Sequence, residues 1–479
     1  MEEEIKALIK NNTREKRVLP PGKKTVGCRW VFTIKYKPDG TIERYKARLV
    51  AKGHTQTYGI DYSETFSPVA KINTIRVLIS IAANKGWPLH QFDVKNAFLH
   101  GELKEEIYME APRGFTDRND KEDITKLKKN LFIEFEMKDI GRLKYFLGIE
   151  VLRSKQGIFM YQKKYVLDLL AEIGIVDCKL ADTPMIVNQK LYMEKKARLA
   201  DKGRYQRMVG KLIYLSHTRP DIAHAVGVVS KFMHQPQKAH MKAILRIMRY
   251  LKGTAGHGIL FKQNGHLETQ LYTDVDWAGD KGDRRSTSGY LTLVGGNLVT
   301  WRSKKQKVVA ISSAEAEFRG IARGITEVLW IRKLLTGIGY PPQEPSKVMS
   351  DNKAAIQISE NPVQHDQTKH IEIDRHFIKE KLEAKIITLP FVRSEDQLAD
   401  VLTKAVNERS LHECLGKLNF GNPTIQLEGS GYHQKDRKPS QNDKTEHGME
   451  KTVQNQGQSP KMSKSESILK NQQSNRSRN

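Results

Sequence analysis

The sequence predicts a mixed α/β protein, and three observations carry that reading. The first hundred residues contain stretches that alternate apolar and polar positions, broken by turn residues. Residues 205–253 carry apolar positions at helical spacing. Residues 265–405 set short strands among longer amphipathic helices in the order β-β-β-α-β-α-α-β-α.

RWVFTIKYK alternates, Pro38-Asp39-Gly40 turns and TIERYKARLVAKG returns, which predicts a hairpin with a basic second strand. INTIRVLISIAANKG predicts a helix ended by Gly86, and WPLHQFDV a buried strand. From Thr116 the chain turns polar and charged (TDRNDKEDITKLKK), like a linker or a helix start. FEMKDIGRLKYFLGIEVLRSKQGIFMYQKKYVLDLLAEIGI predicts a short strand pair and then a helix. In AHMKAILRIMRYLKG, Lys242, Arg246 and Arg249 share one face and Ile244, Leu245, Met248 and Leu251 the other, with Gly253 as the cap. The basic stripe is either an ordinary solvated face or a nucleic-acid track.

HLETQLYTD predicts a strand ending in acids, and SGYLTLVGGNLVTWRS a hairpin about Gly295-Gly296-Asn297. KVVAISS reads as a third strand and SAEAEFRGIARGITEVLWIRKLL as a long helix. KVMSD, NKAAIQISEN, HIEIDRHFIKEKLEA, IITLPFV and SEDQLADVLTKAV then read as strand, helix, helix, strand and final helix. The tail after Phe420 is rich in Gln, Asn, Ser, Lys and Gly with one aromatic, Tyr432, and cannot bury enough apolar surface to offset chain entropy. These shifts divide the chain at 1–115, 116–262, 263–410 and a disordered 421–479.

A length of 479 residues suffices for about three domains. A net charge of +26 favours a polyanionic partner, nucleic acid first. Cys28, Cys178 and Cys414 lie far apart with no CxxC, which gives neither a disulfide framework nor a zinc site and suits a reducing compartment. MEEEIKALIKNNTREKR lacks the apolar core of a secretory leader, and VLISIAA is far too short to span a membrane. The expectation is an intracellular protein, cytoplasmic or nuclear, with no membrane partner.

Four acids fall where one site can use them. Asp274 ends a strand, Glu317 lies early on the long helix, Asp351 ends another strand, and Asp400 lies on the last helix. Carboxylates gathered in one place repel unless cations hold them, and hard oxygen ligands select Mg²⁺ or Mn²⁺. Two such ions are a known device for phosphodiester cleavage. Each acid also has a plainer reading. Asp351 can be an N-cap for NKAAIQI. Ser312-Ser313-Ala314-Glu315 is a capping box that ties Glu315 to the helix start and leaves Glu317 free. Ser394-Glu395-Asp396-Gln397 reads as another box, and Asp276 as a neighbouring acid with no ligand role.

The wording of YTDVDWAGDKGDRRSTSGY, NLVTWRSKKQKVVAISSAEAEF, MSDNKAAI, NPVQHDQTKHIEIDRHFIKE and FVRSEDQLADVLTK resembles the ribonuclease H domain of copia-type LTR retrotransposon polyproteins, over roughly 265–410. The resemblance implies a ribonuclease H-like mixed sheet with flanking helices. It also implies that Asp274, Glu317, Asp351 and Asp400 are catalytic metal ligands and that the substrate is an RNA–DNA hybrid. Arg284, Arg285, Ser288, Arg302, Lys304 and Lys305 then become candidates for phosphate contact, as do Lys369, His370, Arg375 and His376. Phosphate contacts position a substrate without reading its sequence. For each histidine the plain alternative is a satisfied surface or core side chain.

The first third resembles the fingers and first palm strand of the same family's reverse transcriptase, through RYKARLVAKGHTQTYGIDYSETFSPVAKINTIRVLISIAANKGWPLHQFDVKNAFLHGELKEEIYMEAPRGF. Asp93 is then the first polymerase acid, Phe98 the residue screening the sugar 2′ position, and Lys46, Arg48 and Lys52 face triphosphate or template. The alternative is a basic hairpin packed on a strand. FEMKDIGRLKYFLGIEV, YQRMVGKLIYLSHTRPDIAHAV and AILRIMRYLKGT resemble the family's thumb and connecting region. The family's second acidic pair is missing: Asp-Asp occurs nowhere in the chain. The match passes from just after Asp93 to just past that pair, with a seam near Thr116–Lys121. One acid cannot place both metals for phosphoryl transfer. The expectation is an inactive polymerase, residues 1–180 folded only in part, and a ribonuclease H with its acids intact. The competing reading is a non-catalytic, basic nucleic-acid-binding remnant.

Overall fold

Residues 1–10, 17–22, 24–36, 41–52, 71–94, 108–109, 137–174, 179–189, 191–280, 282–360 and 372–422 are described by the computed structural model. All of them lie in one compact unit, Met1–Gly429. Phe98, Cys178, Lys369, His370, the Thr116–Lys121 seam and the tail after Asn422 fall outside the described residues.

After a short helix α1 (Glu2–Lys10), β1 (Cys28–Tyr36) and β2 (Ile42–Ala51) form the expected antiparallel hairpin. Facing pairs put Thr33, Lys46, Val31 and Arg48 on one face and Phe32, Ile34, Tyr45 and Ala47 on the other. Helix α2 (Ile72–Lys85) ends as expected at Gly86, whose positive φ of 68° suits a glycine. The buried strand expected at WPLHQFDV is a correction. It is β3 (His90–Val94), paired among the described residues only with β4 (Met137–Arg142), and His90 is exposed there while Gln91 is half-buried. A strand in a two-stranded ribbon has no neighbours to enclose it. Beside this ribbon an apolar groove of about 260 Å³ is lined by Ile72, Ile75, Ile79, Leu143, Phe146 and Met160, among others.

A second, antiparallel sheet has the order β14-β8-β7-β6-β5, built from Tyr145–Phe146 (β5), Ile149–Ser154 (β6), Gly157–Tyr161 (β7), Gly258–Phe261 (β8) and Phe420–Gly421 (β14). Helices α3 (Lys163–Ile173), α4 (Lys202–Leu215), α5 (Ala223–Ser230) and α6 (Lys238–Gly253) pack against it around one shared core. The expected apolar face of α6 is largely borne out, with Ile244, Met248 and Leu251 buried and Leu245 half-buried. Gly253 is its last helical residue rather than the cap; Thr254 closes the helix with its N–H on Leu251 and Tyr250. A buried ion pair joins Arg219 to Asp221 at 2.7 Å, and Asp221 also accepts the Tyr250 hydroxyl at 2.8 Å.

The third sheet has the order β11-β10-β9-β12-β13. Its strands are Thr269–Asp276 (β9), Thr287–Val294 (β10), Asn297–Lys305 (β11), Ser346–Met349 (β12) and Ile387–Thr388 (β13). The first three are antiparallel, and β12 runs parallel to β9. The β10–β11 turn uses Gly295 and Gly296 at φ 56° and 72°, the left-handed pair a two-residue hairpin needs. Helices α7 (Ser313–Gly337), α8 (Lys353–Glu360) and α9 (Glu372–Glu383) form a separate core with this sheet. A Cβ on Gly320 would come within 2.8 Å of Val275, and one on Gly324 within 2.5 Å of Leu271, so these glycines let α7 approach the sheet closely.

Helix α2 sits against this third sheet. Ser80 donates to the Val294 carbonyl at 2.6 Å, and Asn297 donates to Ser80 at 3.1 Å. The Arg76 guanidinium lies 3.7 Å from the Trp301 ring centre and donates to the His217 carbonyl at 2.5 Å.

Two expectations fail here. KVVAISS forms no strand: Val308, Val309 and Ile311 are exposed. The buried Gln306 donates to Ser288 and the Ala316 carbonyl at 2.8 and 2.9 Å, which directs the chain from β11 into α7. SEDQLADVLTKAV forms two 3₁₀ turns (Ser394–Asp396 and Leu398–Leu402) rather than an α-helix, and α10 (Glu408–Lys417) follows. The Gln397 side chain donates to the Thr273 carbonyl at 3.0 Å and accepts from Ala399. Such side-chain bonds to backbone compete with α-helical turns.

Candidate active site

Parallel pairing of β9 and β12 places Tyr272 opposite Met349. Asp274 and Asp351, each two residues farther along, therefore reach the same end of the sheet. Glu317 joins them from the second turn of α7, where its Oε1 accepts the Val275 N–H at 3.1 Å. One carboxylate oxygen from each of Asp274, Glu317 and Asp351 lies within 4.8 Å of the others.

The N-cap reading of Asp351 and the second capping box do not hold, whereas Glu315 does serve the helix start. Asn352, not Asp351, caps α8 by accepting from Ala355 at 2.9 Å. Asp351 accepts the Ser394 hydroxyl at 2.9 Å, so Ser394 braces an acid of the cluster rather than opening a capping box. At the start of α7, Ser312 accepts from Glu315 and Glu315 accepts from Ile311, one residue earlier than a standard box, leaving Glu317 clear of the cap.

Asp400 comes from the second 3₁₀ turn and stands beside this group. Lys404 Nζ lies 2.9 Å from its Oδ1 and 3.9 Å from Asp274 Oδ2, which also accepts the Thr403 hydroxyl. Burial, reinforced by Asp274 and Asp351, pushes the Glu317 carboxyl up to about 9. Burial and Asp274 push Asp400 up to about 7, and burial raises Asp274 as well. Glu317 Oε2 is buried with no hydrogen-bond partner among the described residues. Three crowded carboxylates with one unsatisfied buried oxygen fit a divalent cation held by hard oxygen ligands.

The basic candidates separate by position. Arg302 and Lys304 are exposed on the edge strand β11, and Arg302, Arg323 and Lys307 together draw down the Lys304 pKa. Arg284 and Arg285 are exposed, Arg285 near Asp283. Arg375 is half-buried and His376 exposed on α9. Two expectations are corrected. Ser288 is buried and takes a hydrogen bond from Gln306, so it braces the sheet instead of facing a ligand. Lys305 pairs with Asp280 and Asp283 at 2.7 and 2.6 Å, which neutralises it locally.

In the hairpin, Lys46 and Arg48 share a face with Arg44 and Lys35. Burial, then Arg48 and Arg44, lowers the Lys46 pKa. The Lys52 stem lies against Gly27. Asp93 stands in β3 opposite Lys138.

Sequence reasoning missed Gln397, Thr403 and Lys404. Lys404 was findable, because it lies four residues after Asp400, the spacing of a helical ion pair. Gln397 was not, because its partner Thr273 lies 124 residues away.

The family model for reverse transcriptase (RNA-dependent DNA polymerase) matches residues 11–134 and 120–187. The chain is 38% identical over 487 aligned positions to the Retrovirus-related Pol polyprotein from transposon RE1 of Arabidopsis thaliana, using 87% of this chain and 33% of that protein. It is 34% identical over 493 positions to the corresponding polyprotein from transposon TNT 1-94 of Nicotiana tabacum, using 86% of this chain and 37% of that one. The chain thus spans about a third of the length of these curated relatives. A crystal structure of LC11-RNase H1 in complex with RNA/DNA hybrid overlaps 31% of this chain and 99% of its own, at TM-score 0.22 and 15% identity.

Proposed function

Since the chain belongs to the Pol polyprotein family of copia-type retrotransposons, we propose that it is a ribonuclease H attached to a disabled polymerase. The nuclease hydrolyses the RNA strand of RNA–DNA hybrids with two Mg²⁺ or Mn²⁺ ions. The observation that carries this reading is the Asp274–Glu317–Asp351 cluster with its buried Glu317 oxygen, which has no hydrogen-bond partner among the described residues.

Asp274, Glu317, Asp351 and Asp400 would hold the ions. When bound, these supply an activated water and neutralise charge at the scissile phosphate. The chain's own residues fix the ligands beforehand. The Val275 N–H orients Glu317, Ser394 orients Asp351, and Thr403 orients Asp274. Arg302 and Lys304 offer phosphate contacts from the sheet edge.

Three observations support a disabled polymerase. Asp-Asp is absent from the sequence. Among the described residues, the strand carrying Asp93 pairs with β4 alone. The RE1 alignment uses about 417 of this chain's 479 residues (87%) yet runs over 487 positions, so about 70 positions have no counterpart here. A deletion between β3 and β4 accounts for all three, and the two-part family match meets in that interval.

The test is hydrolysis of a labelled RNA–DNA hybrid by the full chain, because α2 packs on the nuclease sheet. Metal-dependent cleavage that vanishes in Asp274→Asn supports the nuclease. Hybrid binding without cleavage refutes it in favour of a basic binding remnant, whose affinity survives that substitution and falls steeply with salt. Primer extension by the same preparation refutes the disabled polymerase.

A further inference from the structure

The four acids are not equivalent. Among the described residues, Glu317 and Asp351 form no ion pair; their bonds are to a backbone N–H and a serine hydroxyl. On the other side, Lys404 holds Asp400 at 2.9 Å and reaches Asp274 at 3.9 Å. A positive charge therefore already occupies the ground between Asp274 and Asp400. A cation arriving there meets an ammonium, and one arriving between Asp274, Glu317 and Asp351 meets three carboxylates of which only Asp274 lies within ion-pair reach of Lys404.

We propose that Lys404 is a tethered counter-cation that divides the centre into two unequal metal sites, keeping the Asp274–Asp400 side closed to a divalent ion until the ammonium is displaced. This rests on the metal reading above. The free protein takes one ion tightly at Asp274, Glu317 and Asp351. The second enters only by replacing Lys404, whose side chain is 45% exposed and can swing out without unpacking the core. The released ammonium then needs an anion, and a nucleic-acid phosphate arriving with the second ion provides one. Lys404 thereby couples occupancy of the second site to substrate. It is a positioning residue, since it acts through Asp274 and Asp400.

The test is a calorimetric titration of the full chain with Mn²⁺ alone, without nucleic acid, alongside Asp274→Asn. Wild type takes up one tight ion, lost in Asp274→Asn. In Lys404→Met, of similar length but uncharged, a second ion binds about tenfold tighter than in wild type, the scale expected for removing one like charge beside it. Identical titrations of wild type and Lys404→Met overturn the inference and leave the metal reading standing; no Mn²⁺ uptake by wild type overturns both. If Lys404→Met does not fold without metal, Lys404→Arg serves instead. Arginine keeps the charge and grips a carboxylate with two donors, so the second ion binds several-fold more weakly than in wild type. An unchanged second site in that variant overturns the inference.

Discussion

Glu317→Gln gives the sharpest test of the electrostatic account, because it separates the cost of the acid cluster from its use. Glutamine keeps the shape and still accepts the Val275 N–H. It removes a carboxyl whose pKa is about 9 in the folded state against an ordinary 4.5. For an acid with a raised folded pKa, the fold is most stable below the ordinary value and loses stability as pH rises toward the folded value. At about 1.36 kcal/mol per pH unit, the span from 4.5 to 7 makes the glutamate cost on the order of 3 kcal/mol at pH 7 without metal. Glu317→Gln should therefore raise the melting temperature in EDTA at pH 7 by roughly 5 °C, and by less than 2 °C at pH 5. Saturating Mg²⁺ should shrink or reverse the gain, since only wild type then has its full ligand set. Melting curves at pH 5, 7 and 8.5, with EDTA and with Mg²⁺, read all of this. A variant less stable than wild type in EDTA at pH 7, or a gain that ignores pH, would refute the reasoning.

Further expectations follow from contacts already described. Gly320→Ala should cost about 2 kcal/mol in urea unfolding and lower hybrid cleavage, because the new methyl meets Val275 at 2.8 Å and pushes Glu317 off the strand; unchanged stability refutes the close approach. Arg76→Ala should cost on the order of 3 kcal/mol, by stripping Trp301 of its stacked guanidinium and leaving the His217 carbonyl without its donor; urea unfolding is the readout, and a loss below about 0.5 kcal/mol removes α2 from the account of the third sheet. Asp221→Ala should cost about 3–5 kcal/mol, since it leaves the buried Arg219 charge unpaired; a neutral result in the same assay contradicts the buried pair.

Much of this arrangement is legible in the sequence, for reasons that are local. Gly295-Gly296 specifies its own turn, Gly86 its own helix end, and the spacing of Asp274, Glu317 and Asp351 follows from strand ends and one helix turn. The failures come where a distant partner decides. KVVAISS has strand composition, but Gln306 is anchored to Ser288 and Ala316 and takes the chain off the sheet edge. SEDQLADVL has a capping signature, but Ser394 and Gln397 spend their side chains on Asp351 and Thr273, across the sheet. Lys305 reads as one more basic residue until Asp280 and Asp283 are seen beside it.

The partner that local reasoning could least supply is α2. Its sequence belongs with the polymerase, and its apolar positions Ile72, Ile75 and Ile79 line the open groove beside β3 and β4. Its polar positions do something else. Arg76 and Ser80 lie buried, bonded to His217 and to the β10–β11 hairpin, and Asn84 donates to Gly295 at 3.4 Å and accepts from Asn264 at 2.8 Å. Buried groups of this kind are costly unless bonded, so their bonds to the sheet and to His217 tie the helix to one docking position. On the proposed reading, a loss of palm strands would leave the groove open but the helix still docked. The third sheet is supported by residues 72–85, so the nuclease proposed for it would not depend on an intact polymerase. A truncation beginning after residue 94 should melt well below the full chain and cleave poorly, whereas deleting residues 1–70 should affect neither property; the reverse outcome would place the support for this sheet elsewhere.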